Sequence, residues 1–398
     1  MKKQYLILGL LLASFQFAQS QFTLEGEFRP RAELFGNGFS STAAEGSTPW
    51  LQTSLRAAIN ATYKTESYTV YLGFQEVFLF GDRPQISAAG NGNFRLQEAW
   101  ADIKLAENWS FKFGRQPLSY DDQRILGGLA WAQQARTHDV GVLKHKSKSG
   151  FTLDAGYSLN TFGDNIYDTA ALFSYRELGF IHANKKFGNF SVSGLLLNTV
   201  YQTETAPTKS SLLTAGLHGE LSAGAFGFAG NMFIQNGDRI GQVAVDGATL
   251  FSLDATFKAT EKIILLAGFE SIAGKTDDSA AFFPLYGTNH AFNGLMDRFY
   301  VGNHANAGGL VDLNIGAKFK LPKGYGFTAK FHNFKEQSLT KESLGNELDL
   351  IVSKGFNGFS VVGGYSQFFE PSSLTGADST QNWAWIMLTI KPKFLVGK

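Results

Sequence analysis

The chain has 398 residues, no cysteine and a formal net charge of +1 at pH 7. The absence of cysteine excludes a disulfide framework and a lipid-anchored cysteine, and the near-neutral charge gives no bias toward nucleic acid. Glycine (44) and phenylalanine (37) are abundant, yet no apolar run after the first twenty residues is long enough for a membrane helix. This composition argues against an ordinary secreted enzyme and is typical of a transmembrane β-barrel, in which only the lipid-facing half of each strand must be apolar.

The first twenty residues predict a secretory signal peptide. Met1, Lys2 and Lys3 form a basic start, the run YLILGLLLASFQF is too short to span a bilayer, and Ala18-Gln19-Ser20 has the small-x-small pattern of a cleavage site. We therefore expect residues 1–20 to be removed after Ser20. Residues 21–398 then form one domain, an outer-membrane β-barrel of a Gram-negative cell.

The stretch FTLEGEFRPRAEL, residues 22–34, places a charge at every second position. This period of two is the period of a β-strand, whose side chains point alternately to opposite faces. The pattern recurs in 50–64, 151–159, 310–320 and 325–332, and about eighteen segments show it. The weakest segments are 94–104, 109–116, 139–146 and 171–184.

The connections between these segments alternate in length. Long connections are predicted at 36–49, 81–93, 117–138, 160–170, 200–210, 236–247, 272–309, 335–346 and 369–380. Short ones are predicted at 65–66, 105–108, 147–150, 185–188, 222–224, 259–261, 321–324 and 355–358. This rhythm predicts an all-β fold, a transmembrane antiparallel up-and-down β-barrel of about 18 strands in the cell outer membrane, with short periplasmic turns. The alternative is a secreted β-sandwich whose apolar faces pack on a core.

A barrel of this size is roughly 35 Å across between backbones and is not filled by its own side chains. The sequence therefore predicts a water-filled channel for polysaccharide or small hydrophilic solutes. Strand parity assigns equal numbers of acidic and basic side chains to the interior: Glu25, Glu27, Glu33, Glu98, Asp102, Asp154, Glu220, Asp254, Asp312, Glu347 and Asp349 against Arg29, Arg31, Arg56, Lys64, Lys104, Lys112, Lys258, Lys318, Lys320, Lys330 and Lys391. This balance favours neutral or weakly selected cargo, or local patches that the sequence does not locate.

One connection, 111–143, carries a set of residues that resembles a known family. Gly114-Arg115-Gln116, followed by Tyr120, Asp122, Arg124, Trp131, Arg136 and Asp139, resembles the signature of the alginate-export family of outer-membrane barrels. The stretches 75–82 and 96–103 are also similar to that family, and 282–302 is similar to its Bacteroidetes-type branch. The resemblance implies an eighteen-stranded channel that exports polysaccharide, with periplasmic export partners. Asp121 stands where the family pattern has glycine.

The candidate site residues follow from parity and from this connection. We expect a pore lining or constriction formed by Glu25, Glu27, Arg29, Arg31, Arg56, Arg115, Arg124, Arg136, Asp139, Asp297 and Arg298. Arg115, Arg124 and Arg136 are the candidates for a basic constriction, because guanidinium groups suit carboxylate binding. The alternative is that these arginines pair with Asp121, Asp122 and Asp139 and fix a loop.

The longest connection, 272–309, is rich in aromatic and aliphatic residues, which a solvated outer loop would not expose. We expect it to bend into the barrel mouth and narrow the lumen beside 111–143, with Asp297 and Arg298 at the water-filled edge. The alternative is a lid over the rim that contacts lipopolysaccharide or a partner protein.

Catalytic signals are weak. The sequence has no Gly-x-Ser-x-Gly and no His-Glu-x-x-His motif, and its seven histidines have no metal-ligand spacing, so we expect no cofactor and no metal. Two other classes remain open. One is an outer-membrane enzyme built on His290 or His138, and the other is a receptor barrel that binds a partner through its loops.

Overall fold

The computed structural model describes residues 21–36, 49–82, 94–160, 174–202, 207–299, 308–338, 342–371 and 379–397. The strands are β1 (Gln21–Phe35), β2 (Trp50–Lys64), β3 (Tyr68–Leu79), β4 (Arg95–Ala106), β5 (Trp109–Gln116), β6 (His138–Lys146), β7 (Phe151–Leu159), β8 (Glu177–Phe187), β9 (Phe190–Tyr201), β10 (Ser210–Ala223), β11 (Phe226–Arg239), β12 (Val243–Lys258), β13 (Ile263–Ala273), β14 (Gly309–Lys320), β15 (Tyr325–Lys335), β16 (Ser343–Gly355), β17 (Phe359–Glu370), β18 (Ser379–Ile390) and β19 (Lys393–Val396). Two 3₁₀ turns, Asn289–Ala291 and Pro322–Gly324, complete the described elements. Within these ranges, no helix has the length and apolar character needed to cross a membrane.

The strands form one closed antiparallel barrel. From β1 to β18 each strand pairs with the next along the chain, and β1 closes the sheet by pairing with β2 on one side and with β18 and β19 on the other. Phe28 lies opposite Ile390 and Glu25 opposite Lys393, and the register shifts by one residue between Leu24 and Glu25. Because Pro392 has no N–H to donate, β18 and β19 are two parts of one strand. The prediction of an eighteen-stranded barrel closed by its terminal strands is confirmed.

Removing the closing strand should abolish assembly. A chain that ends at residue 378 leaves the free edge of β1 and the free edge of β17 without partners, and unpaired backbone groups are costly in lipid. We expect no heat-modifiable, membrane-inserted species on electrophoresis. A control chain that ends at residue 392, which keeps β18, should insert. Normal insertion of the shorter chain would contradict the closure seen here.

The burial pattern is the reverse of that in a soluble protein. On β1, Phe28 and Leu34 are each 43% exposed, whereas Arg29 is 7% and Glu33 4% exposed. Large apolar side chains are exposed on nearly every strand, and charged or polar side chains are buried on the opposite parity. An apolar outer surface around a polar interior is the arrangement of a barrel set in lipid. This surface agrees with the predicted location in the outer membrane.

The connections alternate between long and short as the sequence predicts, with one exception. The turns after β2, β4, β6, β8, β10, β12, β14 and β16 are short and lie at the same end as both termini, which we call the short-turn end. The predicted long connection 236–247 is instead a three-residue turn, 240–242, because β11 continues to Arg239 and β12 begins at Val243. A register shift at Gly237 and positive φ values at Gly237 and Gly241 keep the two strands paired through residues that favour turns.

The predicted strand 171–184 is displaced in the structure. Strand β8 runs from Glu177 to Phe187, and Phe187 pairs with Phe190 across the two-residue turn 188–189. The charged pair Lys185 and Lys186 looked like a turn in the sequence, but the two residues continue the alternation of β8. The proposed signal peptide, residues 1–20, lies outside the described residues.

Candidate functional site: two inner segments in the lumen

Two connections fold into the barrel and contact each other there. We call residues 117–137, between β5 and β6, the first inner segment, and residues 274–299, after β13, the second inner segment. The N–H of Gly127 donates to the carbonyl of Tyr286 at 2.8 Å, and the N–H of Tyr286 donates to the carbonyl of Ile125 at 3.0 Å. A Cβ on Gly127 would lie 2.3 Å from Thr288 Oγ1, so glycine permits this close approach. As the sequence predicts, the second segment packs beside the first.

The centre of the site is a buried ion pair between Arg124 and Glu270. Arg124 Nε and Nη2 donate to the two carboxylate oxygens of Glu270 at 2.8 and 2.7 Å. The remaining donors of Arg124 reach Asn289 at 2.7 Å and Asn293 at 3.1 Å. The Arg124 side chain is 1% exposed. One guanidinium therefore joins the first inner segment, the second inner segment and β13 in a fully hydrogen-bonded network.

Tyr120 and Asp121, near the start of the first inner segment, hold it to the barrel wall. Tyr120 donates to Asp154 on β7 at 2.8 Å. Asp121 accepts from His182 on β8 at 3.0 Å and from Ser193 on β9 at 2.7 Å. Burial acts to raise the pKa of Asp121, but these hydrogen bonds outweigh it and the pKa lies below its ordinary value. Asp121 has φ of +52°, a conformation that glycine adopts without strain.

Two arginines of β1 hold the other end of the first inner segment, residues 130–132. Arg29 donates to the carbonyls of Ala130 and Ala132 at 2.8 and 2.9 Å. The guanidinium of Arg31 lies 3.9 Å from the ring centre of Trp131, and its Nε is 2.9 Å from Glu33. Both arginines therefore bind the first inner segment and neighbouring carboxylates.

Trp131 is the centre of an aromatic cluster. His290 of the second inner segment stacks on Trp131 at 3.7 Å between ring centres. The edges of Trp383 and Trp385, on β18, approach Trp131 at 5.7 and 6.0 Å. The cluster joins both inner segments to the strand that closes the barrel.

The acidic side of the lumen, on β16 and β17, holds the second inner segment. The N–H of Met296 donates to Glu347 at 2.8 Å, and the N–H of Leu295 donates to Asp349 at 3.3 Å. Arg298 forms a close ion pair with Glu370. Burial lowers the pKa of Arg298, although the Glu370 carboxylate opposes that shift. The two inner segments are thus fixed to strands around almost the whole circumference.

The structure brings most of the predicted site residues into the lumen. Arg29, Arg31, Arg124, Asp297 and Arg298 lie within or against the inner segments. Arg136 also does so, because its guanidinium donates to the carbonyl of Gly287 at 3.0 Å. Glu27 lies closer to the short-turn end on β1, 3.5 Å from Arg29 and 3.9 Å from Arg56.

Three predicted residues are placed elsewhere. Arg115 and Asp139 pair at 2.6 Å with side chains 47% and 53% exposed, on the same parity as the outward-facing Phe113. They therefore face away from the lumen, and the pair joins β5 to β6 on the outer surface instead of fixing a loop. Glu25 is near the short-turn end, 3.7 Å from Lys393. The expected pairing of Arg124 with nearby acids is replaced by the pair with Glu270.

Sequence reasoning missed Glu270, Asn289 and Asn293. Glu270 is the single charge in the apolar strand β13, which was the available signal. Asn289 and Asn293 stand in the aromatic part of the second inner segment, where the sequence gave no reason to single them out.

Below the first inner segment, a cavity of about 860 Å³ reaches the short-turn end. Its lining includes Lys104, Lys144, Lys146, Asp154 and His182. Lys144 is paired with Asp154 at 2.9 Å. The interior is therefore divided into a narrow level, occupied by the inner segments, and a wider vestibule below it.

The enzyme hypothesis requires His290 or His138 beside a serine and a carboxylate. His290 Nδ1 contacts Asp297 at 2.8 Å, and His138 Nδ1 contacts Tyr175 at 3.0 Å. The Nε2 atom of each ring is buried with no hydrogen-bond partner in the part of the chain that the structure describes. Within the same residues, no group of three or more His, Asp or Glu side chains is arranged to hold a metal ion.

Comparison with solved structures places the fold among outer-membrane porins. The chain is similar to the crystal structure of OccK9 (OpdG) from Pseudomonas aeruginosa, with a TM-score of 0.64 and 13% identity over 94% of this chain and 99% of that one. It is similar to OccAB4 from Acinetobacter baumannii, with a TM-score of 0.64 and 12% identity over 95% and 99%. P. aeruginosa OpdK, solved with vanillate, gives 0.63 and 10% over 94% and 99%.

No family model matches the sequence, and no curated protein matches it. At these identities the likeness concerns the fold alone, and a shared fold does not by itself assign a function. The resemblance to the alginate-export family therefore has support for the eighteen-stranded outer-membrane barrel only.

Proposed function

We propose that the chain is an outer-membrane channel through which small hydrophilic solutes diffuse, and that the inner segments set the size limit. The observation that carries the proposal is the network around Arg124 and Glu270, which fixes two loops of the chain itself inside a polar-walled barrel. A barrel of this width does not fill its lumen with wall side chains, so the inner segments determine what passes.

The charges at the narrow level support a passage for small solutes. Arg29 and Arg31 lie on β1, and Glu347 and Asp349 lie on β16, three strands away around the closed barrel. Neighbouring groups of both signs can bind polar solutes without a ring of one sign. Vanillate, the compound in the OpdK structure, is a small carboxylate and serves as a suitable probe.

A polysaccharide cargo is the second candidate, favoured by the resemblance of 111–143 to the alginate-export family. It would add periplasmic export partners, and a sugar polymer would require a continuous path past Trp131 and His290, which stack at 3.7 Å. The inner segments would then have to move aside. The closely hydrogen-bonded network makes the small-solute channel the better-supported proposal.

Single-channel recording in planar bilayers tests the proposal. We expect an open channel of low conductance, together with swelling of proteoliposomes in small sugars and in vanillate but not in alginate oligosaccharides. Long current blocks by alginate oligosaccharides would favour the polysaccharide exporter. A correctly inserted barrel without conductance would contradict both channel functions and favour the receptor or enzyme hypothesis.

A further inference from the structure

The lumen ends in a ring of lysines at the short-turn end, which we call the lysine collar. Nine strands run toward this end, and seven of them finish with an exposed lysine at or within three residues of the last strand position. The collar consists of Lys64 (β2), Lys104 (β4), Lys146 (β6), Lys186 (β8), Lys258 (β12), Lys320 (β14) and Lys391 (after β18). The other two strands, β10 and β16, carry Glu220 and Ser353 near this end on the inward parity.

The collar lysines lie on the inward parity of their strands. Lys104 and Lys146 line the vestibule together with His182. Lys391 Nζ is 3.9 Å from Glu27, an inward residue of β1. The other collar lysines alternate with outward aromatic neighbours, as Lys186 does with Phe187, which is 56% exposed.

Fewer of the collar charges have a carboxylate partner than the arginine charges at the narrow level of the lumen. Arg29, Arg31, Arg124 and Arg298 each have a carboxylate within 3.5 Å. Of the collar, Lys258 contacts the exposed Glu261 of its own turn, and Lys391 contacts Glu27 at the limit of an ion pair. Charge in the interior is therefore separated along the barrel axis, with paired charges in the middle and a basic mouth at the short-turn end.

We propose that the lysine collar, and not the arginines of the narrow level, makes the channel prefer small anions. The proposal rests on the proposed channel function and adds the sign of the solute. A ring of like charges raises the local concentration of counter-ions at a pore mouth. Lysine ammonium groups are compact and strongly hydrated, so they attract anions without the geometric selection of a guanidinium fork.

Screening sets the conditions of the test. The collar lies on a wall roughly 17 Å from the barrel axis, and the Debye length is about 30 Å at 0.01 M salt but about 3 Å at 1 M. The collar field therefore reaches the axis only in dilute salt. We expect reversal potentials to report anion preference at 0.01 M that disappears at 1 M.

The decisive variant is K64Q/K186Q/K320Q, which removes three collar charges on strands spread around the ring. We expect its anion-to-cation permeability ratio at 0.01 M to fall at least about twofold, because the remaining charges are fewer and farther apart. The charge-reversed K64E/K186E/K320E should prefer cations. The matched control K185Q/K262Q/K354Q removes three lysines at the same end that lie on turns or outward parity, and its ratio should stay that of the unmodified chain.

The outcomes separate this proposal from the channel function. Absence of conductance in the unmodified chain overturns the channel function itself. Conductance without anion preference, or with a preference equal at 0.01 M and 1 M, overturns the collar proposal and leaves the channel. A control variant that changes the ratio as much as the collar variant also overturns it, because total charge at this end would then be sufficient.

Discussion

Replacing residues 280–298 with a short Gly-Ser linker should raise the single-channel conductance several-fold. Phe282, Phe283 and Tyr286 in this segment are each 1% exposed and pack inside the barrel, so their removal clears lumen volume. The barrel wall does not depend on them for its strand pairing, since β13 and β14 pair directly from Ala273 and Gly309 onward. Insertion should therefore be retained, as measured by heat-modifiable migration on electrophoresis.

The control for this replacement lies in the same connection. K275S/D277S/D278S changes three exposed residues at the start of the second inner segment and should leave the conductance unchanged. If the linker variant inserts normally and conducts like the unmodified chain, the second inner segment does not narrow the pore. Its packing would then serve another purpose, such as bracing the wall.

The strands could be read from the sequence because lipid and lumen impose opposite demands on alternate side chains. The charged half of β1 is buried and its apolar half exposed, so period two marks the strand without any knowledge of its partners. The same logic fails where turn residues occur inside a strand. Gly237 and Asp238 looked like a loop, although the bulge at Gly237 lets β11 continue.

The inner segments could be predicted only in part. The aromatic content of 272–309 indicates that it must pack on something, and it does. The partner of Arg124 could not be predicted, because Glu270 lies 146 positions away and reaches Arg124 only through barrel closure and the inward path of the first segment. Proximity in sequence suggested Asp121 and Asp122 instead, which bind the wall.

Two features were present in the sequence but needed the structure to be recognised. Arg115 shares its parity with Phe111 and Phe113, which places it on the outer face. The interior count of eleven acids and eleven bases left out Lys146 and Lys186, which lie on the inward parity, and a count carries no axial position. Only the strand ends show that the lysines gather at one mouth.

Arg124→Gln should release the inner segments while leaving the barrel intact. Removing one partner of a buried ion pair leaves an uncompensated charge, which costs about 3–5 kcal/mol. We expect Glu270→Gln to act in the same way, because the Arg124 guanidinium would then be buried without a counter-charge. Amide hydrogen exchange should become faster in 117–137 and 280–299, and the single-channel current should become noisier and larger.

The double variant R124Q/E270Q separates the pair from general disruption. Because this variant leaves no unpaired charge, its amides in the inner segments should exchange more slowly than those of either single variant. A double-mutant cycle then measures the coupling energy between Arg124 and Glu270. The matched control is Arg115→Gln. Arg115 and Asp139 form an equally short pair, but their side chains are about half exposed, so its loss should cost no more than about 1 kcal/mol.

The comparison decides where the stability of the constriction resides. If the amides of 117–137 exchange at the same rate in R124Q and R115Q, the buried pair is not what holds the inner segments. The hydrogen bonds that Arg29 donates and Glu347 accepts would then have to carry that role. If only the variants of the buried pair release the segments, a single salt bridge 1% and 7% exposed controls the size of the pore. The width of the lumen would then depend on one contact between an inner segment and the wall. A substitution of Arg124 in the segment could change that width while the strand pairing stays the same.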